Sequence, residues 1–264
     1  MLITYLIGAL VFLLGVCIGS FLNAVIYRLE QKKSLSGRSF CPNCKHRLSW
    51  ADLFPVFSFL LLGGKCRYCH KKISSQYPVV EILTGLIYLL IFNFVIFNFS
   101  NNVLIFKFLN AGFFFYIASA LIVILVYDLK HYEIPDKVLL PAIGITFLFQ
   151  AVTSSYLIVN CLLAVLIGAG FFFAIFWFSK GQWMGFGDVK LAILMGLLLG
   201  YPNILSALFM AFFLGAIIGV ILMLLKKKGL KSEIPFGPFL VLGTFLALLY
   251  GTQTIQWYLN LFQI

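Results

Sequence analysis

The sequence predicts an all-α polytopic membrane protein with about eight transmembrane helices and a small cytosolic insert that holds four cysteines as a zinc site. Hydrophobic residues make up 62% of the 264 residues and charged residues only 10%, with a mean hydropathy of +1.07. A soluble domain carries about 25% charged residues. The basic residues fall between long apolar runs and do not form one charged face. Lipid must therefore solvate most of the chain, and we expect no nucleic-acid partner.

Eight apolar runs match, or nearly match, the length of about 20 residues that a helix needs to cross a bilayer. They cover residues 3–27, 79–99, 108–127, 138–152, 158–178, 189–201, 204–225 and 237–258. Two of them, 138–152 and 189–201, are short, so these helices either tilt little or extend into the flanking residues. The first run lacks the basic region and the cleavage site of a signal peptide, and we expect it to remain as a helix.

The basic residues predict the orientation of the helices. Of the 19 lysines and arginines, 18 lie in the stretches 28–78, 128–137, 179–190 and 226–233, and Lys107 alone lies elsewhere. With eight spans, these four stretches share one side of the membrane. Basic residues near helix ends mark the cytoplasmic side. Both termini are therefore expected on the outer side.

This topology divides the chain into three parts. The first transmembrane helix occupies 1–27, a cytosolic cysteine-rich insert occupies 28–78, and a membrane-embedded helix bundle occupies 79–264. Two pairs of glycines have the four-residue spacing that lets helices approach closely. They are Gly15 with Gly19 and Gly215 with Gly219. We expect these glycines to serve packing only.

Four of the six cysteines form two C-x-x-C pairs in the insert. Cys41 pairs with Cys44 and Cys66 with Cys69, and 21 residues separate the two pairs. Such pairs at about this separation form a tetrahedral zinc site, because the two-residue spacer lets both thiolates of a pair face one ion. The alternative is a set of redox-active disulfides, which the reducing cytosol disfavours. The sequence therefore predicts a structural Zn²⁺ ion.

Two of the eight acidic residues lie at predicted membrane edges. Asp128 ends an apolar run, and an ionisable residue at that depth is a functional candidate, with a plain helix-end carboxylate as the alternative. Asp188 follows Gly185 and Gly187, whose missing side chains permit close approach. Its alternative role is that of a helix N-cap.

Two further acidic residues, Glu81 and Asp136, suggest structural roles. Glu81 follows Pro78, and we expect it in the first turn of a helix, where a carboxylate favours the helix dipole. Asp136 follows a proline, and we expect it to cap a helix that begins at Lys137.

The two membrane-edge aspartates together suggest the chemistry of an aspartic protease. When two carboxyl groups lie close together, both cannot ionise cheaply, so one keeps a proton that the other lacks. The ionised group can activate water while the protonated one polarises the scissile carbonyl. The sequence itself does not bring Asp128 and Asp188 together, since 60 residues separate them.

Seven segments in this order resemble the type IV prepilin peptidases, and the resemblance covers nearly the whole chain. The segments are residues 19–29, the cysteine pairs, 48–58, 77–81, Asp128 with 134–136, 185–191 and 235–239. The resemblance implies that Asp128 and Asp188 are catalytic and that the substrate is a prepilin or pseudopilin, whose basic leader is removed. Family members with the cysteine insert usually also methylate the new N-terminal residue, with S-adenosylmethionine as the methyl donor.

The resemblance also implies a location in the bacterial inner membrane, with the catalytic face cytosolic and the lipid bilayer as a partner. Other functions remain as alternatives. A transporter would carry its acidic residues near the middle of helices. Other intramembrane proteases with the Gly-x-Gly-Asp motif lack the cysteine insert. A quinone-linked thiol oxidase needs its cysteines on the outer side, opposite to the side that the basic residues indicate.

Overall fold

The computed structural model describes residues 2–34, 37–98, 104–153, 155–225 and 234–261. The basic stretch expected at 226–233 lies outside the described residues. Within the described part the chain is helical, with a short 3-10 helix at Trp50–Leu53 and isolated β-bridges in place of strands. The helices are α1 (Leu2–Glu30), α2 (Phe57–Leu61), α3 (Gln76–Asn98), α4 (Leu104–His131), α5 (Asp136–Thr153), α6 (Ser155–Ser179), α7 (Phe186–Leu199), α8 (Asn203–Leu224) and α9 (Gly237–Leu261).

Each of the eight predicted runs forms a helix, so the predicted fold class is confirmed. Among the described residues, seven helices are long and apolar enough to cross a membrane: α1, α3, α4, α5, α6, α8 and α9. The eighth, α7, has only 14 residues, a length of about 21 Å at 1.5 Å per residue. It ends at Gly200, whose φ of +66° favours glycine. The turn there explains why this run is short.

The chain forms two compact units, Met1–Val123 and Ile124–Ile264. In the first unit, α1 packs closely on α3 through the predicted glycine pair. A Cβ added to Gly15 would lie 2.7 Å from the Cα of Gly85, and one added to Gly19 would lie 2.7 Å from the Cα of Glu81. Neither backbone neighbour can move aside as a flexible side chain could. The packing role predicted for Gly15 and Gly19 is therefore confirmed.

We expect Gly15→Ala to lower the unfolding temperature of the detergent-solubilised protein, because the added methyl group overlaps the α3 backbone. Overpacking of this kind costs about 1–3 kcal/mol. Gly219→Ala is the matched control, since an added Cβ there meets nothing within 4 Å. Equal unfolding temperatures for the two variants would contradict this account of the α1–α3 contact.

In the second unit, the short helix α7 forms the core. Its residues Leu191, Ala192, Leu194 and Met195 are fully buried, and α5, α6 and α9 all pack against it. A helix that is apolar on all sides and enclosed by other helices needs no contact with lipid. Its burial is consistent with a helix too short to cross the bilayer alone.

The second pair of spaced glycines behaves differently from the first. A Cβ on Gly215 would make only ordinary 3.5 Å contacts with Phe236 and Phe239, and one on Gly219 would meet nothing within 4 Å. The packing expectation for this pair is wrong in the described structure. The close contact between α8 and α9 is made at Gly243, where an added Cβ would lie 2.5 Å from the backbone oxygen of Ala207.

Candidate active site and metal centre

Asp128 lies inside the last turn of α4, which continues to His131. Its exposed fraction is only 4%, so it is not a plain carboxylate at a solvated helix end. Its carboxylate packs against Gly237, the first residue of α9, whose missing side chain leaves room for it. Burial of a carboxyl group is costly, which favours a functional reason for its position.

Asp188 lies in the first turn of α7. The helix begins at Phe186, and Gly185 occupies the N-cap position in extended conformation, with φ −76° and ψ 151°. The alternative role of Asp188 as an N-cap is therefore wrong, because Gly185 holds that position. The carboxyl group of Asp188 is partly buried and interacts electrostatically with Asp128. The fold thus brings together the two aspartates that lie 60 residues apart in the sequence.

Two glycines and one isoleucine shape the space around the aspartates. A Cβ added to Gly237 would overlap the Oδ2 atom of Asp128 and would lie 3.5 Å from the Cδ1 atom of Ile134. A Cβ added to Gly187, next to Asp188, would lie 3.2 Å from the Cβ atom of Ile134. Ile134 therefore packs against both segments that form the site. The glycines leave room for the backbone to approach this closely.

An ion pair joins the starts of α5 and α7 beside the aspartates. The Nζ atom of Lys190 lies 2.5 Å from the Oδ1 atom of Asp136, and it also lies over the ring of Phe186 at 5.6 Å from the centroid. Asp136 is the first residue of α5, one position inside the cap that we expected. Its side chain is 52% exposed, and an exposed pair of this kind contributes little stability.

The four cysteines of the insert converge on one point. Their sulfur atoms all lie within 4.8 Å of one another, and the Sγ atoms of Cys41 and Cys69 are 3.9 Å apart. Tetrahedral zinc with Zn–S bonds of about 2.3 Å requires sulfur atoms about 3.8 Å apart. The four thiols therefore fit the size and geometry of a zinc ion.

The two C-x-x-C pairs form the same turn twice, which explains why the thiols converge. The N–H of Lys45 donates to the carbonyl of Cys41, and the N–H of His70 donates to that of Cys66, each at 2.9 Å. Lys45 and His70 both have positive φ values, 58° and 55°. Each turn is closed by an antiparallel bridge, Phe40 to Arg47 and Lys65 to Lys72.

The surroundings of Cys41 suit a thiolate. Burial acts to raise its pKa, but the backbone N–H groups of Cys44 and Asn43 and the neighbouring thiols Cys44 and Cys66 lower the pKa of Cys41 to about 7. Backbone donors directed at a sulfur atom stabilise its negative charge, as metal-binding turns require. Cys41 is therefore suited to bind a cation as a thiolate. At Cys69 the backbone N–H of Lys71 lowers the pKa, but burial and the neighbouring thiols raise it to about 11.

Asp52 holds the second cysteine turn in place, a role that the sequence did not indicate. Its carboxylate accepts hydrogen bonds from the backbone and hydroxyl of Ser49 at 3.0 and 2.8 Å and from the hydroxyl of Tyr68 at 3.0 Å. It also pairs with Arg67 at 2.8 Å. Burial opposes its ionisation, but the bonds from Ser49, Tyr68 and Arg67 lower the pKa of Asp52 overall. The sequence signal for this role was the position of Asp52 three residues after Ser49, where it completes a capping box.

Glu81 connects the insert to α3. The expectation that it lies in a first turn is wrong, because α3 begins earlier, at Gln76. Its buried carboxylate accepts the backbone N–H of Val56 at 2.7 Å. Val56 has a φ of 60°, a strained value for a β-branched residue. Glu81 thus holds a strained turn of the insert, so its structural role stands although its position differs from the expected one.

These features define a class of protein: a multi-pass helical membrane protein with two interacting aspartates, one buried and one partly buried, and a separate cluster of four cysteines. Comparison with known proteins identifies the family. The model of the bacterial peptidase A24 N-terminal domain matches residues 13–95, and that of the type IV leader peptidase family matches residues 115–220. No solved structure matches the chain.

Proteins named prepilin leader peptidase/N-methyltransferase match over nearly their whole length. The protein of Aeromonas salmonicida is 30% identical, with 97% of this chain and 95% of the relative covered. The protein of Bacillus subtilis is 30% identical, with 96% and 98% covered. The protein of Pseudomonas aeruginosa is 29% identical, with 94% and 92% covered. The chain belongs to the type IV leader peptidase family, and the family resemblance seen in the sequence is confirmed.

Proposed function

We propose that this chain is a membrane aspartic endopeptidase that removes the basic leader of type IV prepilins or pseudopilins, and that it then methylates the new N-terminal residue. The observation that carries the proposal is the interaction of Asp128 with Asp188 in a largely buried site. The relatives named prepilin leader peptidase/N-methyltransferase support the substrate and the second activity.

The reaction at the paired aspartates needs one carboxylate and one carboxylic acid. The carboxylate takes a proton from water while the water oxygen bonds to the scissile carbonyl carbon. The carboxylic acid gives its proton to the carbonyl oxygen, and a tetrahedral diol forms. The aspartate that acted as the base then gives its proton to the amide nitrogen. The aspartate that acted as the acid takes a proton from a hydroxyl group of the diol as the C–N bond breaks. The products are a carboxylic acid and an amine, and the pair regains its initial protonation.

The proposed topology places this chemistry where a prepilin can reach it. The basic stretches support a cytosolic side that includes the insert at 28–78 and the loops beside Asp128 and Asp188. A prepilin keeps its basic leader in the cytosol and its apolar segment in the bilayer, so its cleavage site lies at the same interface. The bundle at 79–264 would then be the peptidase part of a protein in the bacterial inner membrane.

We propose that Cys41, Cys44, Cys66 and Cys69 hold a structural Zn²⁺ ion. When bound, the ion would cross-link the two cysteine turns and stabilise an insert that has little apolar core of its own. The convergence of the four sulfur atoms supports this assignment. Asp52 would then keep the turn at Arg67 and Tyr68 in register with the metal.

Methylation requires S-adenosylmethionine as the donor, and we assign no residues to it. One cleft beside the first cysteine turn is lined by four basic residues, Lys33, Arg38, Lys45 and Arg47, and by the aromatic residues Tyr27 and Phe40. The methyl donor carries a positive sulfonium and a positive ammonium group, so four positive side chains do not suit it. This cleft is therefore not proposed as the donor site.

A cleavage assay tests the proposed function. The purified chain in detergent is incubated with a prepilin that retains its basic leader, with and without S-adenosylmethionine. Mass spectrometry of the product should find a new N-terminus after the leader, and an added methyl group only when the donor is present. An intact substrate with folded enzyme would refute the proposed peptidase activity, and a cleaved but unmethylated product would refute the second activity.

A further inference from the structure

The insert carries a group of exposed apolar side chains between its two cysteine turns. Trp50, Phe54, Phe57, Leu60 and Leu61 are between 55% and 87% exposed, and we call them the apolar patch. No charged residue occurs between positions 53 and 64. A soluble module rarely leaves a contiguous apolar surface in water, and such a surface marks contact with a membrane or a partner. The apolar patch therefore needs something to cover it.

The apolar patch is held in place by contacts before, within and after it. The capping box at Asp52 precedes most of it, and Phe54 packs edge-on against Phe57 with 5.8 Å between the ring centroids. After α2, the N–H of Ile73 donates to the carbonyl of Gly64 at 2.7 Å and joins the segment to the second cysteine turn. Because α2 has only five residues and none of them is buried, its apolar side chains remain on the surface.

One hydrogen bond sets the depth of the apolar patch relative to the membrane. The backbone N–H of Val56, in the middle of the patch, donates to the carboxylate of Glu81 at 2.7 Å. The apolar span Gln76–Ile96 of α3 has 21 residues, a length of about 31 Å that matches a hydrocarbon core of about 30 Å. Glu81 therefore lies about 7 Å inside one edge of the span. Interfacial segments bury their apolar face by about 5–10 Å, so Val56 is held at the depth of such a segment.

The apolar patch adjoins a helix surface that faces lipid. On α3 the side chains of Val79, Ile82, Leu83 and Leu86 are exposed, as expected for a helix that crosses a bilayer. They lie within about two turns of Glu81, the residue that binds the backbone of the patch. The lipid around this end of α3 can therefore also cover the segment that is bound there.

Charge distinguishes a lipid surface from a prepilin as the occupant. The insert at 28–78 holds ten basic residues but only two acidic ones, Glu30 and Asp52, and Asp52 pairs with Arg67 at 2.8 Å. An apolar surface flanked by basic residues binds anionic phospholipids, because their headgroups attract the positive side chains. The leader of a prepilin is itself basic and would be repelled. The occupant that fits both the apolar patch and its charged flanks is an anionic lipid surface.

We propose that residues 50–61 form an interfacial anchor, whose aromatic and leucine side chains lie among the headgroups and upper acyl chains of anionic phospholipids. The anchor enters the leaflet on the same side of the membrane as the insert. It ties the segment between the two cysteine turns to the bilayer, so the insert is a membrane-bound module and is not suspended in the cytosol. This lipid contact is separate from the proposed peptidase activity and can be measured without a substrate.

Tryptophan fluorescence tests the lipid contact, because Trp50 belongs to the apolar patch. A chain with Trp177→Phe, Trp183→Phe and Trp257→Phe keeps Trp50 as its one tryptophan. It is reconstituted into vesicles of phosphatidylcholine and phosphatidylglycerol, with or without bromine near the headgroup end of the acyl chains. Bromine quenches only an indole that it contacts. We therefore expect strong quenching of Trp50 by brominated lipid and weak quenching by acrylamide in the water.

The matched control moves the tryptophan to an exposed polar position in the first cysteine turn, by adding Trp50→Phe and Asn43→Trp to the same chain. Brominated lipid should quench Trp50 at least about twofold more than the tryptophan of the control. Strong acrylamide quenching of Trp50 without lipid quenching would overturn the proposal. Shielding from both quenchers would overturn it too, because protein would then cover the patch. So would acrylamide access that disappears only when a prepilin is added.

The double variant Leu60→Gln with Leu61→Gln tests whether the apolar side chains hold the anchor in the lipid. Both leucines are exposed, so the helix content measured by circular dichroism should not change. Quenching of Trp50 by brominated lipid should fall by at least about twofold, because two of the five anchoring side chains become polar. Ser75→Gln, at an exposed polar position of the same insert, should keep full quenching. Unchanged lipid quenching in the folded double variant would overturn the anchor, whatever the cleavage assay shows.

Discussion

Replacing Asp128 or Asp188 with asparagine is expected to abolish prepilin cleavage while leaving the chain folded and inserted in the membrane. Asparagine keeps the shape of the side chain but can neither take up a proton as a base nor supply one as an acid. Loss of proton transfer in the reacting pair should lower kcat by about 10²–10⁴-fold. The measurement is the rate of leader removal by purified variants at matched protein concentration.

Asp136→Asn is the matched control for these variants. Its carboxylate lies near the site in sequence and structure but is half exposed and pairs with Lys190, so its loss should leave substantial activity. The double variant Asp128→Asn with Asp188→Asn should be no slower than either single variant, because the two groups act as a unit. Wild-type rates from either single variant would rule out the paired mechanism.

The helices and the cysteine cluster were predictable because their causes are local. An apolar run long enough to cross a bilayer has few structures open to it other than a helix, since lipid offers no hydrogen bonds to the backbone. The C-x-x-C spacing likewise defines a turn whose two sulfur atoms converge, and Cys41 and Cys66 begin two copies of that turn. Neither inference required knowledge of distant contacts.

The contact between Asp128 and the start of α9 was not predictable from the sequence. Asp128 and Gly237 are more than a hundred residues apart, and a close approach of this kind leaves no signal in a sequence beyond the glycine itself. The sequence suggested an N-cap as the alternative for Asp188, but Gly185 takes that position because α7 begins two residues before the aspartate. A shift of two residues at a helix start is smaller than local sequence patterns resolve.

The partners of Glu81 and Asp52 in the first unit were missed for the same reason. Glu81 and Asp52 each hold a segment of the insert through backbone or side-chain donors that lie 15 or more residues away, at Val56, Arg67 and Tyr68. A carboxylate that binds distant donors looks in sequence like any other polar residue. Long-range partners of this kind become visible only when the fold is known.

The double variant Cys41→Ser with Cys44→Ser is expected to lose bound zinc and to lose methylation more than cleavage. It removes two of the four converging thiols, and two thiolates cannot complete a tetrahedral site. Because metal binding supplies much of the folding free energy of a small zinc module, the insert should lose its ordered turns. Elemental analysis should find the zinc content reduced from one ion per chain to nearly none.

The expected difference between the two activities follows from where the groups lie. The cysteine cluster belongs to the unit Met1–Val123, whereas Asp128, Asp188 and Gly237 all belong to the unit Ile124–Ile264. Cleavage needs the paired carboxyl groups, a water molecule and a bound substrate, and none of these is supplied by the four thiols.

Cys17→Ser is the control, because that cysteine lies in α1 outside the cluster. Mass spectrometry separates uncleaved, cleaved and methylated products in one measurement. Zinc-free protein with an ordered insert would refute the metal site, and equal loss of both activities would show that the insert supports the peptidase as much as the methyl transfer.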